Sequence, residues 1–238
     1  MAVSPQSDST ISGPLWQRRG VPPFGRPGSP LRYLAGLVSI AGLLASGSGL
    51  SGAGATSEMT VGAQAATLAG QLLVARPDLP DPRFSRTVVY VLHHDAGGAM
   101  GLIVNRPIGE APLSELLERF GLENKGVNGE IRVHFGGPVE PARGFVLHTA
   151  DYETGSTQVV KGGIAVTARP EILHAIGTGA GPRKSLFAMG YAGWAPGQLE
   201  AEIKAGAWEI VPADQALVFD EDYQKKWERA MARRTIRL

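Results

Sequence analysis

The side chains best suited to chemistry in this chain are histidines and acids at the ends of apolar runs. His93, His94 and Asp95 close one run, His134 lies in a second, and His148 in a third, three residues before Asp151. A metal centre needs ligands that converge. Adjacent residues of a strand point to opposite faces, so His93 and His94 do not readily share one ion. No HExxH spacing supplies another pair, so no metal or cofactor is expected and the histidines are expected to be structural or to face solvent. A relay drawn from Ser85, His148 and Asp151, or from His148 with Arg106, would describe a hydrolase, but no GxSxG elbow accompanies it. With no Cys in the chain, disulfides, thiolate metal sites and thiol nucleophiles are excluded.

A second group of residues suits anion or groove binding. Gly136-Gly137-Pro138 follows an apolar run and could turn successive N–H groups toward an anion, although neither GxxxxGK[ST] nor GxGxxG is present. Gly177–Lys184 (GTGAGPRK) leads into an apolar run rather than a helix, which is where a phosphate-cradling lysine would belong. Arg106 could clamp a carboxylate or phosphate with its fork, or simply end a strand. Arg83 and Arg86 in DPRFSR allow the same pair of readings. Gly190-Tyr191-Ala192-Gly193-Trp194 sets two aromatics among small residues, as close backbone packing or as a groove wall. Arg106, Gly136, Gly137, His148, Tyr191 and Trp194 are thus the residues expected to line a ligand or partner groove. Near the C-terminus Lys225, Lys226, Arg229, Arg233, Arg234 and Arg237 are offset by Asp220, Glu221, Asp222 and Glu228. A solvated helix is the expected form.

These residues must be placed by strands. Thr87–His94 and Ala99–Arg106 flank the turn signal Asp95-Ala96-Gly97-Gly98, with Gln71–Ala75 as a third strand. Pro107 is expected to stop its strand. Leu113, Leu116, Leu117 and Phe120 then fall at i, i+3, i+4 and i+7, one apolar face of a short helix ended by Gly121. Ile131–Phe135 and Arg143–Thr149 read as strands, and Val159–Thr167 as a hairpin turning at Lys161-Gly162-Gly163. Pro170–Ile176 reads as a helix and Ser185–Tyr191 as a central strand. Pro196–Ala205 is a helix with Leu199 and Ile203 inward, and Trp208–Val211 a last extended segment. Helices interspersed among hairpins point to an α+β fold with a mixed, mostly antiparallel sheet.

Composition shifts near residue 58. The 238 residues carry 23 Lys/Arg and 22 Asp/Glu, a net charge of +1. Four of the bases and two of the acids precede Met59, which leaves 19 against 20 in the remainder. A core so close to neutral argues against direct nucleic-acid binding. Residues 1–58 read as a disordered extension, with translation from Met59 as one origin of it. The twelve apolar residues Leu34–Ala45 are too few to span a bilayer, where about 20 are needed, so no membrane span is expected. They would direct export only if they act as the apolar segment of a secretory signal.

Six segments in order resemble the YqgE/AlgH family of bacterial proteins: GQLLVA (70–75), DPRFSRTVVYVLHH (81–94), GAMGLIVNRP (98–107), HFGGPV (134–139), RGFVLHT (143–149) and GYAGWAPGQLEAEI (190–203). The resemblance implies a single α+β domain over 59–238, with a partly barrel-like sheet surrounded by helices, in a cytoplasmic protein sometimes labelled a transcriptional regulator. It transfers no catalytic residues. The expected function is therefore non-enzymatic binding or regulation through a protein partner or small ligand. The hydrolase using His148 and a direct nucleic-acid-binding regulator remain the alternatives.

Overall fold

The backbone of the first strands is dictated by alternation. In the computed structural model, which describes residues 67–234, Leu72 and Val74 turn to one core while Leu73 and Ala75 turn to another. Val88, Tyr90 and Leu92 likewise oppose Val89 and Val91. Strands buried on both faces read as continuous apolar runs, which is why these segments were legible.

In chain order the strands are β1 (Gln71–Ala75), β2 (Val88–Asp95), β3 (Gly98–Ile103), β4 (Pro107–Pro112), β5 (Glu130–Phe135), β6 (Val139–Thr149), β7 (Thr157–Lys161), β8 (Ile164–Thr167), β9 (Ser185–Trp194) and β10 (Trp208–Pro212). The helices are α1 (Leu113–Arg119), α2 (Glu171–Gly177), α3 (Gln198–Lys204), α4 (Gln215–Val218) and α5 (Tyr223–Ala232), with a 3-10 turn at Pro82–Phe84. The main sheet runs β10-β1-β2-β3-β9-β6-β8-β7, and β5, carrying β4, branches from β9. Among the described residues only the β5–β9 pairing is parallel. The fold is α+β, as expected.

The sheet curls into a half-barrel. The β7–β8 turn, with Gly162 and Gly163 at φ of +64° and +71°, supplies the double left-handed conformation of a tight hairpin. That turn comes back to the opposite end of the strand order. The Tyr90 hydroxyl donates to the Lys161 carbonyl at 3.3 Å, and Gln215 Nε2 donates to the Gly163 carbonyl at 3.0 Å. The enclosed core contains Leu72, Tyr90, Leu102 and Leu147, with Ala230 and Met231 from α5. A second core lies beneath α1 and α2, around Leu117, Ile172, Leu173 and Phe187. A third packs Leu199 of α3 on Leu73, Val89, Trp194 and Trp208.

Helix α1 ends as its sequence implies. Gly121 has φ of +74°, its N–H donates to the Glu118 carbonyl, and the Leu122 N–H reaches back to Leu117, satisfying two terminal carbonyls. Three expectations need correction. Pro107 does not stop the chain's extended course but begins β4, which pairs on one side only; an edge strand tolerates proline because no ladder N–H is lost inward. Strands β6 and β9 are longer than expected, since Gly190 at φ +72° carries β9 through a bend instead of ending it. Helix α4 carries no sequence signal of its own, since four residues are too few for periodicity to register. Residues 1–58, Leu34–Ala45 and the Met59 start lie outside the described residues. Among the described residues no helix is long and apolar enough to cross a membrane.

Candidate functional site

The motifs quoted above meet where β3 leaves the main sheet and β4 begins. Asn105 bridges two segments: its Oδ1 accepts the Val88 N–H at 2.9 Å, and its Nδ2 donates to the Arg86 carbonyl at 2.9 Å. Arg106 donates from both ends of its fork to the Arg83 and Ser85 carbonyls, at 2.5 and 2.8 Å. The DPRFSR loop is thereby fastened to VNRP through three backbone carbonyls. Arg86 takes the left-handed conformation, φ +53°, and sends its guanidinium over the Trp227 ring, 4.4 Å from the centroid, and onto Glu228. Arg83 closes on Asp81, whose carboxyl is held below its usual range chiefly by that hydrogen bond. The fork of Arg106 is therefore occupied by backbone, and burial lowers its pKa.

Behind this joint, α5 lowers Lys226 into the interior. The side chain is 0% exposed. Its Nζ donates to the Val104 carbonyl at 2.8 Å and the Val218 carbonyl at 2.9 Å, and lies 4.8 Å from the Tyr223 ring centroid. Burial pushes its pKa down to about 7, while Asp220 and Glu221 work against that shift. The Tyr223 ring also meets His134 edge-on at 4.9 Å and carries Arg132 over its face. His134 is 1% exposed, its Nδ1 contacts the Phe187 carbonyl at 3.2 Å, and its Nε2 has no hydrogen-bond partner. Its pKa falls to about 4, mainly by burial, with Lys226 and Arg132 adding to the shift. The expectation of a solvated basic helix is thus corrected at Lys226. Its place three residues after Tyr223 and four before Ala230 puts it on the apolar stripe, and that spacing was the available signal.

The other expected groove residues go elsewhere. Gly136 and Gly137 are packing positions: a Cβ on either would run into the Gly190–Tyr191 backbone. Tyr191 faces the half-barrel core and donates to Glu140 at 3.2 Å, whereas Trp194, three residues on, faces the third core. There the indole N–H groups of Trp194 and Trp208 both donate to Glu202 Oε2 at 2.8 Å. His148 sits at the far end of β6, fully buried. Its Nδ1 pairs with the Thr149 carbonyl and its Nε2 with Thr167 Oγ1, both at 2.9 Å, and burial lowers its pKa. Asp151 is engaged instead by Thr149 Oγ1 and by Arg183 Nε, the hydrogen bond from Thr149 leading the fall of its pKa to about 2. Ser85 offers its carbonyl to Arg106. The structure therefore joins Arg106 with Ser85 and the 81–87 loop, and Gly136–Gly137 with Tyr191, but does not hydrogen-bond His148 to Asp151 or Arg106. His94 is tied to Glu200 at 2.8 Å and accepts from the Leu68 N–H. Among the described residues no three His, Cys, Asp or Glu are grouped to hold a metal ion.

Comparison with known proteins places these features in context. A family model described as AlgH-like matches residues 72–238. A UPF0301 protein of Methylococcus capsulatus is 48% identical over 166 residues, covering 70% of this chain and 91% of the relative. A UPF0301 protein of Caulobacter vibrioides is 49% identical over 168 residues, covering 70% and 86%. The solution structure of the AlgH protein from Pseudomonas aeruginosa superposes with a TM-score of 0.61 at 42% identity, covering 71% of this chain and 89% of that one. A crystal structure from Corynebacterium diphtheriae shares the fold, with a TM-score of 0.55 at 22% identity over 71% and 87% of the two chains.

Proposed function

The chain belongs to the AlgH-like family, and from that premise we propose that it is a non-enzymatic binding or regulatory protein of the cytoplasm. It acts through a protein partner or a small ligand. The observation that carries this reading is the use made of the reactive side chains. Arg106 fastens one loop to another, both nitrogens of His148 hold strand-end groups, and Asp151 anchors the Arg183 segment. A nucleophile–base pair must lie within hydrogen-bond reach, and these residues spend that reach on the scaffold. The near-neutral charge after Met59 supports action through a partner rather than through direct hold on nucleic acid.

The test is thermal unfolding of the full chain against nucleotides, metabolites, divalent metals and short duplexes. A ligand present at 100 times its dissociation constant stabilises by about 2.7 kcal/mol. For a domain of this size that raises the midpoint by roughly 5–10 °C. Stabilisation by one small-molecule class, or co-purification of one protein with no ligand shift, supports the reading. Substrate turnover abolished by His148→Ala in a folded variant overturns it in favour of a hydrolase. Duplex binding that falls steeply with salt overturns it in favour of a nucleic-acid-binding regulator.

A further inference from the structure

Several surface arginines of this domain are paired with carboxylates: Arg83 with Asp81, Arg132 with Glu110, Arg183 with Asp151, Arg233 with Asp214. Lys226 differs from them in kind, a buried amine held by two backbone carbonyls and an aromatic face. A neutral amine has two N–H groups, and the site offers two carbonyl oxygens. An ammonium has a third, which here meets only the Tyr223 ring, away from water. The ring and the carbonyls accept the amine's protons, but complete burial with no carboxylate at ion-pair distance disfavours the charged form.

The groups around it are few. On its own helix stand Tyr223, Lys225 and Arg229, the last engaged with Asp220 and Asp222. The turn before α5 contributes Asp220 and Glu221, which favour the charge. From β5 come His134 and Arg132, whose positive forms would disfavour it. The end of β3 and α4 present only the Val104 and Val218 carbonyls. Elsewhere α5 is held by the Trp227 indole on the Ala75 carbonyl at 2.8 Å, by Arg86 on Trp227 and Glu228, and by Ala230 and Met231 in the core.

We propose that α5 is a proton-controlled latch on the half-barrel, seated while Lys226 is uncharged and loosened ahead of the rest of the domain when Lys226 takes up a proton. Loosening withdraws Ala230 and Met231 and opens that side of the enclosed core. The device stands independently of the binding role proposed above. Such sub-global opening is the expected behaviour of an element drawn from the less stable part of a fold.

Hydrogen exchange of the full chain, read by mass spectrometry from pH 6 to 9 and corrected for intrinsic exchange rates, tests this. Opening of Tyr223–Ala232 should rise roughly tenfold per unit as pH falls from 9 toward 7 and level off below, because one proton is taken up on opening. The strand Val88–Asp95, which exchanges through global unfolding that also frees Lys226, should show the same slope but stay far better protected at every pH. Lys226→Met should remove the dependence. Should that variant fail to fold, carbon-13 NMR of labelled lysines in the unmodified chain should show one lysine titrating near neutrality. Exchange of α5 that ignores pH, that shows α5 as well protected as β2, or that keeps its pH dependence in Lys226→Met overturns the proposal. So does the absence of any lysine titrating below pH 9.

Discussion

His148 at the end of β6 and Lys226 under α5 are both fully buried polar side chains, yet their surroundings differ in completeness. The His148 ring has a partner at each nitrogen, and Thr167 continues the chain of hydrogen bonds to Thr157 at 2.9 Å. Beneath α5 the amine has carbonyls but no carboxylate at ion-pair distance, and the neighbouring His134 Nε2 has nothing. A satisfied network rigidifies its surroundings; an incomplete one in a low-dielectric site leaves a state of charge that can change. The first region reads as scaffold and the second as the place where the fold is responsive.

Deleting the His148 ring should have the largest effect. His148→Ala leaves the Thr149 carbonyl and Thr167 hydroxyl short of a partner inside a cavity, and should cost about 3 kcal/mol. The melting temperature at pH 7.5 should then fall by roughly 6–12 °C. A loss below about 1 kcal/mol would dissolve the contrast between the two regions.

Lys226→Met should come next, and its effect should depend on pH where that of His148→Ala does not above pH 7. Lys226 binds a proton more weakly in the folded chain, with a pKa of about 7, than in the unfolded chain, near 10.5. Between those values the unfolded chain takes up the proton first, so stability falls as pH falls from about 10.5 to 7 and is flat below. The methionine variant lacks that slope. Relative to the parent it should fare worst at pH 9 and better by about 2 kcal/mol at pH 6, measured by urea unfolding at both values. An equal effect at the two pH values would mean that Lys226 does not titrate in this range.

A smaller effect is expected at His134. With a folded pKa near 4 against 6.5, it lends stability that is full above pH 6.5 and lost as pH falls toward 4. His134→Gln should cost about 1 kcal/mol at pH 7.5, for the contact with Phe187. It should also flatten the acid limb of the stability profile only in part, because His148 carries a shift of the same sign.

Much of this architecture could be read from residue order, and the exceptions have physical reasons. Strands buried on both faces, the Gly121 helix end and the Gly162–Gly163 hairpin announce themselves through local chemistry. Strand β4 does not, because proline reads locally as a terminator while the deciding fact, a neighbour on one side only, is tertiary. Gly136 and Gly137, expected with Tyr191 to line a groove, lie close against the Gly190–Tyr191 backbone, a contact that depends on tertiary packing. Lys226 shows the more general limit. Spacing placed it on the apolar stripe of α5, while its charge argued for solvent, and only the positions of the Val104 and Val218 carbonyls, 122 and 8 residues away in the chain, decide between the two.

The smallest effect should come from the outer attachment of α5. Glu228 pairs with Arg86 at the surface, both side chains more than half exposed. Exposed ion pairs are screened and entropically costly to hold, so Glu228→Gln should change stability by less than about 0.5 kcal/mol, and less still at 0.5 M salt. The Arg86 guanidinium would keep its place over Trp227, since the ring attracts it without help from the carboxylate. Exchange of the α5 amides should accordingly remain as pH-dependent as in the parent. If Glu228→Gln instead opened α5 as far as protonation does, the helix would be held from outside, and the buried lysine would be a passenger rather than the control.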